Sequence, residues 1–264
     1  NATEKQKNLS LANAEYIRCK SPLNSMPEGK EKERAKLKNA EHVRLSKLQH
    51  RVSDCGSYLV FQNYFTVGEI RLSKAKFCMK HLLCPLCAIR RGAKVLSRYV
   101  TRFESIVAET PVLKPYMVTL TVKDGPDLAE RFKHLQKSLI TWHKRRHRDN
   151  APCEAKKAHG AAWSYEIKRG KRSGLWHPHV HAVWLCESPP DQLAIQEQWH
   201  AITGDSYIVD VRPINPLEPT TGFMEVFKYA VKFSEQEPAD TFHAFETLAG
   251  KRLIGSFGLF YGIP

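Results

Sequence analysis

The sequence predicts an α+β fold, and the order of its apolar patterns is the main reason. From residue 116 onward these patterns predict a strand, a helix, two strands, a helix, a strand and then further helices. The two adjacent strands, at 161–168 and 177–185, are joined by a short basic loop, so they are expected to form an antiparallel hairpin. A hydrophobic content of 42% in 264 residues is sufficient for a core.

The composition favours a polyanion as the partner of this chain. Lysine and arginine number 41 against 27 aspartates and glutamates, which gives a formal net charge of +14. Such a field attracts nucleic acid, and an anionic membrane surface is the weaker alternative. No apolar run reaches the roughly 18 residues of a membrane span, so nothing is expected to cross a bilayer, and nucleic acid rather than a membrane is the expected partner. The seven cysteines, an odd number, indicate a metal site in a reducing cytoplasm rather than a disulfide framework.

Three segments are expected along the chain. They are a basic N-terminal arm at 1–44, a cysteine-rich module with a linking helix at 45–110, and a main domain at 111–264. The arm is lysine-rich and is either solvated or a DNA-contacting extension, with a charged helix plausible from Glu31 to Gln49. In the module, the runs at 58–61 and 64–65 predict short strands.

The helix between the hairpin and the next strand has predicted start and stop signals. It begins near Ser188 as N-cap, with Pro189 in the first turn, and it ends near Thr203 because Gly204 follows. The other elements of the main domain are a strand at 116–122, a helix at 127–148, a strand at 207–211 and helices at 222–234 and 239–249.

Three histidines alternate along the second hairpin strand: His177, His179 and His181. Alternating residues project from one face of a strand, and folding the hairpin about its centre puts Glu166 opposite His179. A carboxylate beside two imidazoles makes a three-ligand site suited to Mg²⁺ or Mn²⁺, although the same set also binds zinc. His177 is the competing third ligand, or else a DNA contact.

The predicted helix at 222–234 carries a tyrosine outside its apolar stripe. Tyr229 lies one turn after Glu225, with Lys228 and Lys232 beside it. Nearby cations favour the phenolate, which makes Tyr229 a candidate nucleophile, and Glu225 a candidate general base for water. The alternative is an exposed tyrosine on an ordinary helix surface.

The spacing Cys78-x5-Cys84-x2-Cys87 indicates a structural zinc site, because two cysteines separated by two residues supply two thiolates from one turn. Cys55 is the expected fourth ligand and His81 the alternative. Free buried thiols are the competing interpretation of the same cysteines.

Basic residues close to these sites are expected to contact DNA phosphates. They are Arg90, Arg91 and Lys94 after the cysteines, Arg145 and Arg146 at the end of the helix at 127–148, Arg169, Lys171 and Arg172 in the hairpin loop, and Lys228. Cations at a helix C-terminus also interact favourably with the helix dipole, so part of the cluster at 144–148 has a structural explanation.

Together these pieces resemble the replication initiators of rolling-circle plasmids, in the single-tyrosine branch of the HUH (His–hydrophobic–His) endonuclease superfamily. The resemblance runs from about Arg51 to the C-terminus. The motifs that carry it are Cys55-Gly56 with Phe77-Cys78 and Cys84-Pro85-Leu86-Cys87, Val118-Thr119-Leu120-Thr121, His177-Pro178-His179-Val180-His181, Lys228-Tyr229-Ala230-Val231-Lys232 and Lys251-Arg252-Leu253-Ile254-Gly255-Ser256.

The resemblance implies a ferredoxin-like antiparallel sheet backed by helices, with a zinc module, acting on plasmid origin DNA that is single-stranded or hairpin at the nick. It assigns the metal to His179 and His181, and the nucleophile to Tyr229, which forms a 5′-phosphotyrosine and frees a 3′ hydroxyl as primer. Glu225 matches a glutamate that acts in termination. A host helicase and polymerase are the implied partners, in the bacterial cytoplasm.

Two further hypotheses fit parts of the same pattern. A related HUH transposase or relaxase would share the metal site and the tyrosine. A zinc-containing DNA-binding regulator without enzymatic activity would need the cysteines and the positive charge, but neither Tyr229 nor His179.

Overall fold

The computed structural model describes residues 2–19, 31–227 and 236–262. Lys228, Tyr229 and Lys232 lie outside these ranges, so the predictions that concern them are not addressed by the fold. The chain forms two compact units: unit 1 contains residues 1–90 and 237–246, and unit 2 contains residues 91–236 and 247–264. The roles expected for the three sequence segments stay predictions.

The described elements comprise helices and strands of both units. The helices are α1 (Ala2–Cys19), α2 (Glu31–Ser53), α3 (Pro85–Glu109), α4 (Leu128–Arg145), α5 (Gln192–Thr203), α6 (Pro219–Phe227) and α7 (Pro238–Leu248), and a 3-10 turn covers Glu154–Lys157. The strands are β1 (Leu59–Tyr64), β2 (Glu69–Ala75), β3 (Lys114–Thr121), β4 (Ala158–Arg169), β5 (Trp176–Cys186), β6 (Val209–Pro213) and β7 (Ile254–Gly258).

Unit 2 is organised around a five-stranded sheet in the order β6-β3-β5-β4-β7, with every neighbouring pair antiparallel. This confirms the predicted α+β class with a central antiparallel sheet. The strand β7 was not predicted, because its sequence is short and contains two glycines. Gly255 is required there, since a Cβ would lie 2.3 Å from the Trp163 ring.

Helices cover both faces of this sheet. On one face, aromatic residues of α3 and α6 pack with strand residues such as Met117 and Val183 in a single buried cluster. On the other face, Trp142 of α4 lies 5.4 Å from Trp184 of β5 and 5.7 Å from Trp199 of α5, measured between ring centroids. The odd-numbered positions of β5, including the three histidines, belong to the α3–α6 face.

Unit 1 is built around the cysteines. Its core contains Ala14 and Ile17 of α1, Leu45 and Leu48 of α2, and four buried cysteines. The segment expected as a solvated or DNA-contacting arm therefore contributes to this core, through a helix that the sequence did not predict. Every residue of the hairpin strands β1 and β2 is exposed except the half-buried Ala75, and Phe65, expected in a strand, lies in the turn between them.

No helix in the part of the chain covered by the structure is both long and apolar enough to cross a bilayer.

The start of α5 differs from the prediction. The N-cap is Asp191, whose side chain accepts hydrogen bonds from the backbone N–H groups of Leu193 and Ala194 at 2.9 and 3.2 Å. Ser188 and Pro189 precede the helix, because the residue before a proline disfavours the helical conformation and Pro190 follows Pro189. The predicted end at Gly204 is confirmed, with φ of 73°.

Asp191→Ala is expected to lower the free energy of unfolding by about 1 kcal/mol, because two helix N–H groups lose their acceptor. Ser188→Ala is the matched control and should change it by less than about 0.5 kcal/mol. Urea denaturation followed by tryptophan fluorescence measures both, since Trp199 is buried in α5. Equal losses in the two variants would contradict the position of the cap.

Candidate functional site

Glu166, His179 and His181 come together on the α3–α6 face of the sheet. The register pairs Glu166 with His179, as the hairpin symmetry predicted. His179 Nε2 lies 3.4 Å from Glu166 Oε1, and His181 Nε2 lies 3.3 Å from Glu166 Oε2. Glu166 and His179 are buried, whereas the His181 side chain is 16% exposed. The group is therefore closed on the sheet side and accessible at His181.

The donor set of this group fits a divalent metal ion. Its three ligand atoms all lie within 4.8 Å of one another. Ligands about 2.1 Å from one ion lie about 3.0–3.4 Å apart at octahedral to tetrahedral angles, close to the two nitrogen–oxygen distances. Burial lowers the pKa of His179, which favours the neutral imidazole that binds metals, although Glu166 opposes this shift.

The second ring nitrogen of each of these histidines also has a partner. His179 Nδ1 lies 3.4 Å from the backbone carbonyl oxygen of His177. His181 Nδ1 lies 3.1 Å from the hydroxyl of Thr119 in β3, the residue that pairs with it across the sheet. Sequence reasoning did not single out Thr119, although it lies within a motif that carries the family resemblance.

His177 is not part of the three-residue group. Its Nδ1 instead makes a short hydrogen bond with the carboxylate of Asp124, in the loop after β3. The two alternatives for the third ligand are thus separated by geometry: Glu166 lies with His179 and His181, and His177 lies with Asp124.

A cavity of about 390 Å³ extends from His181 past β3 and the edge strand β6 to α6. Thr119, Asp210 and Glu225 contribute to its lining, so Glu225 and the accessible histidine border the same space. The helix α6 begins at Pro219, three residues before its predicted start, and buries Phe223, as the predicted apolar stripe requires.

Ser164 attaches the end of the described part of α6 to the sheet. Its hydroxyl donates a short hydrogen bond to the backbone carbonyl oxygen of Val226, and Ser164 pairs directly with His181 in the register of β4 and β5. The residue adjacent to Glu225 is therefore held beside the three-residue group.

The four cysteines of unit 1 also come together. Sulfur–sulfur distances are 3.6 Å for Cys55–Cys87, 3.5 Å for Cys78–Cys87 and 3.4 Å for Cys55–Cys84. Thiolates about 2.3 Å from zinc lie about 3.8 Å apart at tetrahedral angles, so this group could hold zinc. His81, the alternative fourth ligand, is not one of the residues that converge here.

The four thiols of this cluster shift one another's pKa in opposite directions. Hydrogen bonding with Cys55 and Cys78 lowers the pKa of Cys84, and hydrogen bonding with Cys55 lowers the pKa of Cys87 to about 7. Hydrogen bonding with Cys84 and Cys87, together with burial, raises the pKa values of Cys55 and Cys78. Thiolate is the form that binds metals. Ser10 of α1 lies 3.3 Å from Cys84 Sγ, so the unpredicted helix contributes directly to the surroundings of the cluster.

The residues expected to contact DNA occupy two kinds of position. Arg91, Lys94, Lys171 and Arg172 are exposed. Arg90 and Arg169 are also exposed, but each makes a contact within its own unit: Arg90 lies over the Phe77 ring at 4.4 Å, and Arg169 donates to the Gly174 carbonyl oxygen at 2.7 Å. Arg145 and Arg146 are half-buried, and Arg146 lies over the Phe257 ring at 3.7 Å.

Arg146 is half-buried and packs against the ring of Phe257. Burial lowers its pKa, and it borders His143, whose pKa is lowered to about 4, also mainly by burial. His143 lies against the rings of Trp163 and Phe257, with centroid distances of 4.6 and 5.3 Å. The basic end of α4 therefore has a structural role in addition to any contact with DNA.

A family model described as "Replication protein" matches residues 69–263, roughly three quarters of the chain. The chain belongs to this replication protein family. The match includes Glu166, His179, His181 and Glu225, and it confirms at the family level the resemblance to Rep-type replication initiators.

Two curated proteins, both named "Protein rep", are similar to the chain. The protein from Streptococcus pneumoniae serotype 2 (strain D39 / NCTC 7466) is 27% identical over 235 residues, covering 81% of this chain and 70% of the relative. The protein from Lactiplantibacillus plantarum is 28% identical over 211 residues, covering 74% of this chain and 64% of the relative. No solved structure matches the chain.

Proposed function

We propose that this chain is a rolling-circle plasmid replication initiator of the HUH type, which nicks and rejoins origin DNA through a 5′-phosphotyrosine. The observation that carries the proposal is the Glu166–His179–His181 group, which opens at His181 onto a cavity also lined by Glu225. Membership of the replication protein family supports the biological role. A transposase or relaxase with the same chemistry is less favoured, because the matched relatives are both named "Protein rep".

Glu166, His179 and His181 are the proposed ligands of a catalytic Mg²⁺ or Mn²⁺. When bound, the ion would polarise the scissile phosphate and stabilise its developing negative charge. The protein contributes a buried carboxylate and two imidazoles whose remaining ring nitrogens are held by Thr119 and by a backbone carbonyl.

Tyr229 is the proposed nucleophile. Its phenolate oxygen forms a bond to the phosphorus, the bond from phosphorus to the 3′ oxygen breaks, and that oxygen takes up a proton to become the primer hydroxyl. Lys228 and Lys232 would favour the phenolate as neighbouring cations. Support comes from the anchoring of Val226 to Ser164, because Tyr229 follows the anchored residue by only three positions in the sequence.

Glu225 is the proposed base for termination. It would accept a proton from water, whose oxygen attacks the phosphorus of the regenerated junction and releases a 3′ hydroxyl and a 5′ phosphate. Its position on the cavity that reaches His181 supports this role.

Zinc is the proposed ion of the four-cysteine group, where it would stabilise unit 1. Exposed Arg91, Lys94, Lys171 and Arg172, with the positive net charge, are the proposed contacts to DNA. A host helicase and polymerase would complete the reaction in the cytoplasm of the plasmid-bearing bacterium.

Tyr229→Phe is expected to abolish the covalent protein–DNA adduct, because it removes the nucleophilic oxygen. The assay incubates the protein with Mn²⁺ and a hairpin oligonucleotide that exposes the origin as single-stranded DNA, and the adduct is identified by a mass-shifted peptide. Tyr261→Phe is the control, since Tyr261 is exposed and outside the site. An undiminished adduct in Tyr229→Phe would refute the assignment, and no adduct in the wild type would favour a non-enzymatic regulator.

Glu225→Ala is expected to separate initiation from termination. Nicking should stay within about threefold of the wild type, whereas hydrolysis of the terminating junction should fall by about 10²–10⁴-fold with the loss of the base. Glu197→Ala, which removes an exposed carboxylate on α5, is the control for net charge. Normal termination in Glu225→Ala would mean that the base lies elsewhere.

Cys84→Ser is expected to reduce bound zinc from about one ion per chain to nearly none, because it removes one of four thiolates. Cys186→Ser is the matched control, since Cys186 is a buried free cysteine of unit 2. Elemental analysis after dialysis measures the metal. A wild-type protein without zinc, or equal zinc in both variants, would contradict the proposal.

A further inference from the structure

The hydroxyl of Thr119 contacts Nδ1 of His181, the ring nitrogen that does not face Glu166. The distance from Thr119 Oγ1 to His181 Nδ1 is 3.1 Å, and the two residues are direct partners in the register of β3 and β5. The other nitrogen of the same ring, Nε2, lies 3.3 Å from the Glu166 carboxylate. The imidazole thus has Thr119 on one side and the candidate metal group on the other.

The tautomer of His181 determines whether it can bind a metal through Nε2. A neutral imidazole carries one N–H, so a lone pair on Nε2 requires the proton to be on Nδ1. A hydroxyl oxygen beside Nδ1 can accept that hydrogen bond and stabilise the required form. A methyl group in the same place could not.

His179 obtains the same effect from the backbone. Its Nδ1 faces the carbonyl oxygen of His177 at 3.4 Å, and a carbonyl can only accept. His181 has a side chain in the equivalent place, so its tautomer depends on a residue that can be substituted.

We propose that Thr119 is a positioning residue that holds His181 as the Nδ1–H tautomer and so presents Nε2 to the divalent ion; the inference rests on the proposed metal site. Thr119 reaches the ion only through His181. It also lines the cavity at the accessible end of the site, where it keeps the ring of the partly exposed histidine in place.

The test is a titration of the full-length, zinc-loaded protein with Mn²⁺, in which free Mn²⁺ is measured by electron paramagnetic resonance. Thr119→Val keeps the shape but removes the hydroxyl, and Kd should rise about 10–100-fold. Thr119→Ser keeps the hydroxyl and should stay within about threefold of the wild type. Thr121→Val is the matched control, because Thr121 is the register partner of His179, whose Nδ1 faces a carbonyl.

A second measurement needs no variant at this position. Two-bond ¹H–¹⁵N spectra of the zinc-loaded wild type without Mg²⁺ or Mn²⁺, with the His181 signal assigned by His181→Ala, should show the proton of His181 on Nδ1. A third measurement follows nicking by Thr119→Val. Activity should recover as Mn²⁺ is raised to saturation, because the substitution weakens the His181 ligand rather than removing it.

If Mn²⁺ binds the wild type but not His181→Ala, the proposed metal site stands. Any of three results would then overturn the inference about Thr119 alone. They are an unchanged Kd in Thr119→Val, an equal loss in Thr121→Val, and a proton on Nε2 in the wild type. If the wild type binds no Mn²⁺ beyond its zinc, the proposed metal site fails, and the inference fails with it.

Discussion

The register between β5 and its two neighbours is the constraint on which the candidate site depends. Because side chains alternate between sheet faces, a slip of one residue would move every histidine of β5 to the opposite face, under α4 and α5. In the observed register, His179 faces Glu166, and His181 lies between Thr119 and Ser164. One pattern of backbone hydrogen bonds therefore assembles ligands, a tautomer partner and the attachment point of α6.

The register also matters for stability, because Glu166 and His179 are buried. A carboxylate inside a protein loses its hydration, which is costly unless other polar groups replace the water. With both rings as Nδ1–H tautomers, the Nε2 lone pairs face Glu166 at 3.3–3.4 Å and cannot donate to it, so the proposed divalent ion would compensate the charge. A register that separated the three would leave the carboxylate of Glu166 buried without the proposed ion, so the arrangement that holds the ion would also be the stable one.

Whether a contact could be predicted from the sequence depends on how far apart its residues lie along the chain. The pairing of Glu166 with His179 was predictable because the hairpin is local and its centre follows from the loop. The convergence of Cys78, Cys84 and Cys87 was predictable for the same reason. The partner of His181 was not, since β3 precedes it by about sixty residues and no local rule aligns the two strands.

Local sequence effects explain two further differences between the predicted and the observed helices. Two consecutive prolines moved the start of α5 from Ser188 to Asp191. The helix α1 went unrecognised because its buried positions include the polar residues Ser10 and Asn13, which blur an apolar stripe. Asn13 compensates by donating a hydrogen bond to the carbonyl oxygen of Leu83 at 2.6 Å, a contact 70 residues away that no periodicity reveals.

Unit 1 combines the first 90 residues with the short stretch at 237–246. That stretch supplies Phe242 to the core around the cysteines, and Glu246 to an ion pair with Arg44 at 2.7 Å. During synthesis, unit 1 therefore completes its core only after residues 237–246 have been translated, well after residue 90. No cut at a single peptide bond separates the two units, because each unit contains two segments of the chain. Expressing either unit by itself would require its two segments to be joined in a new order or by a linker.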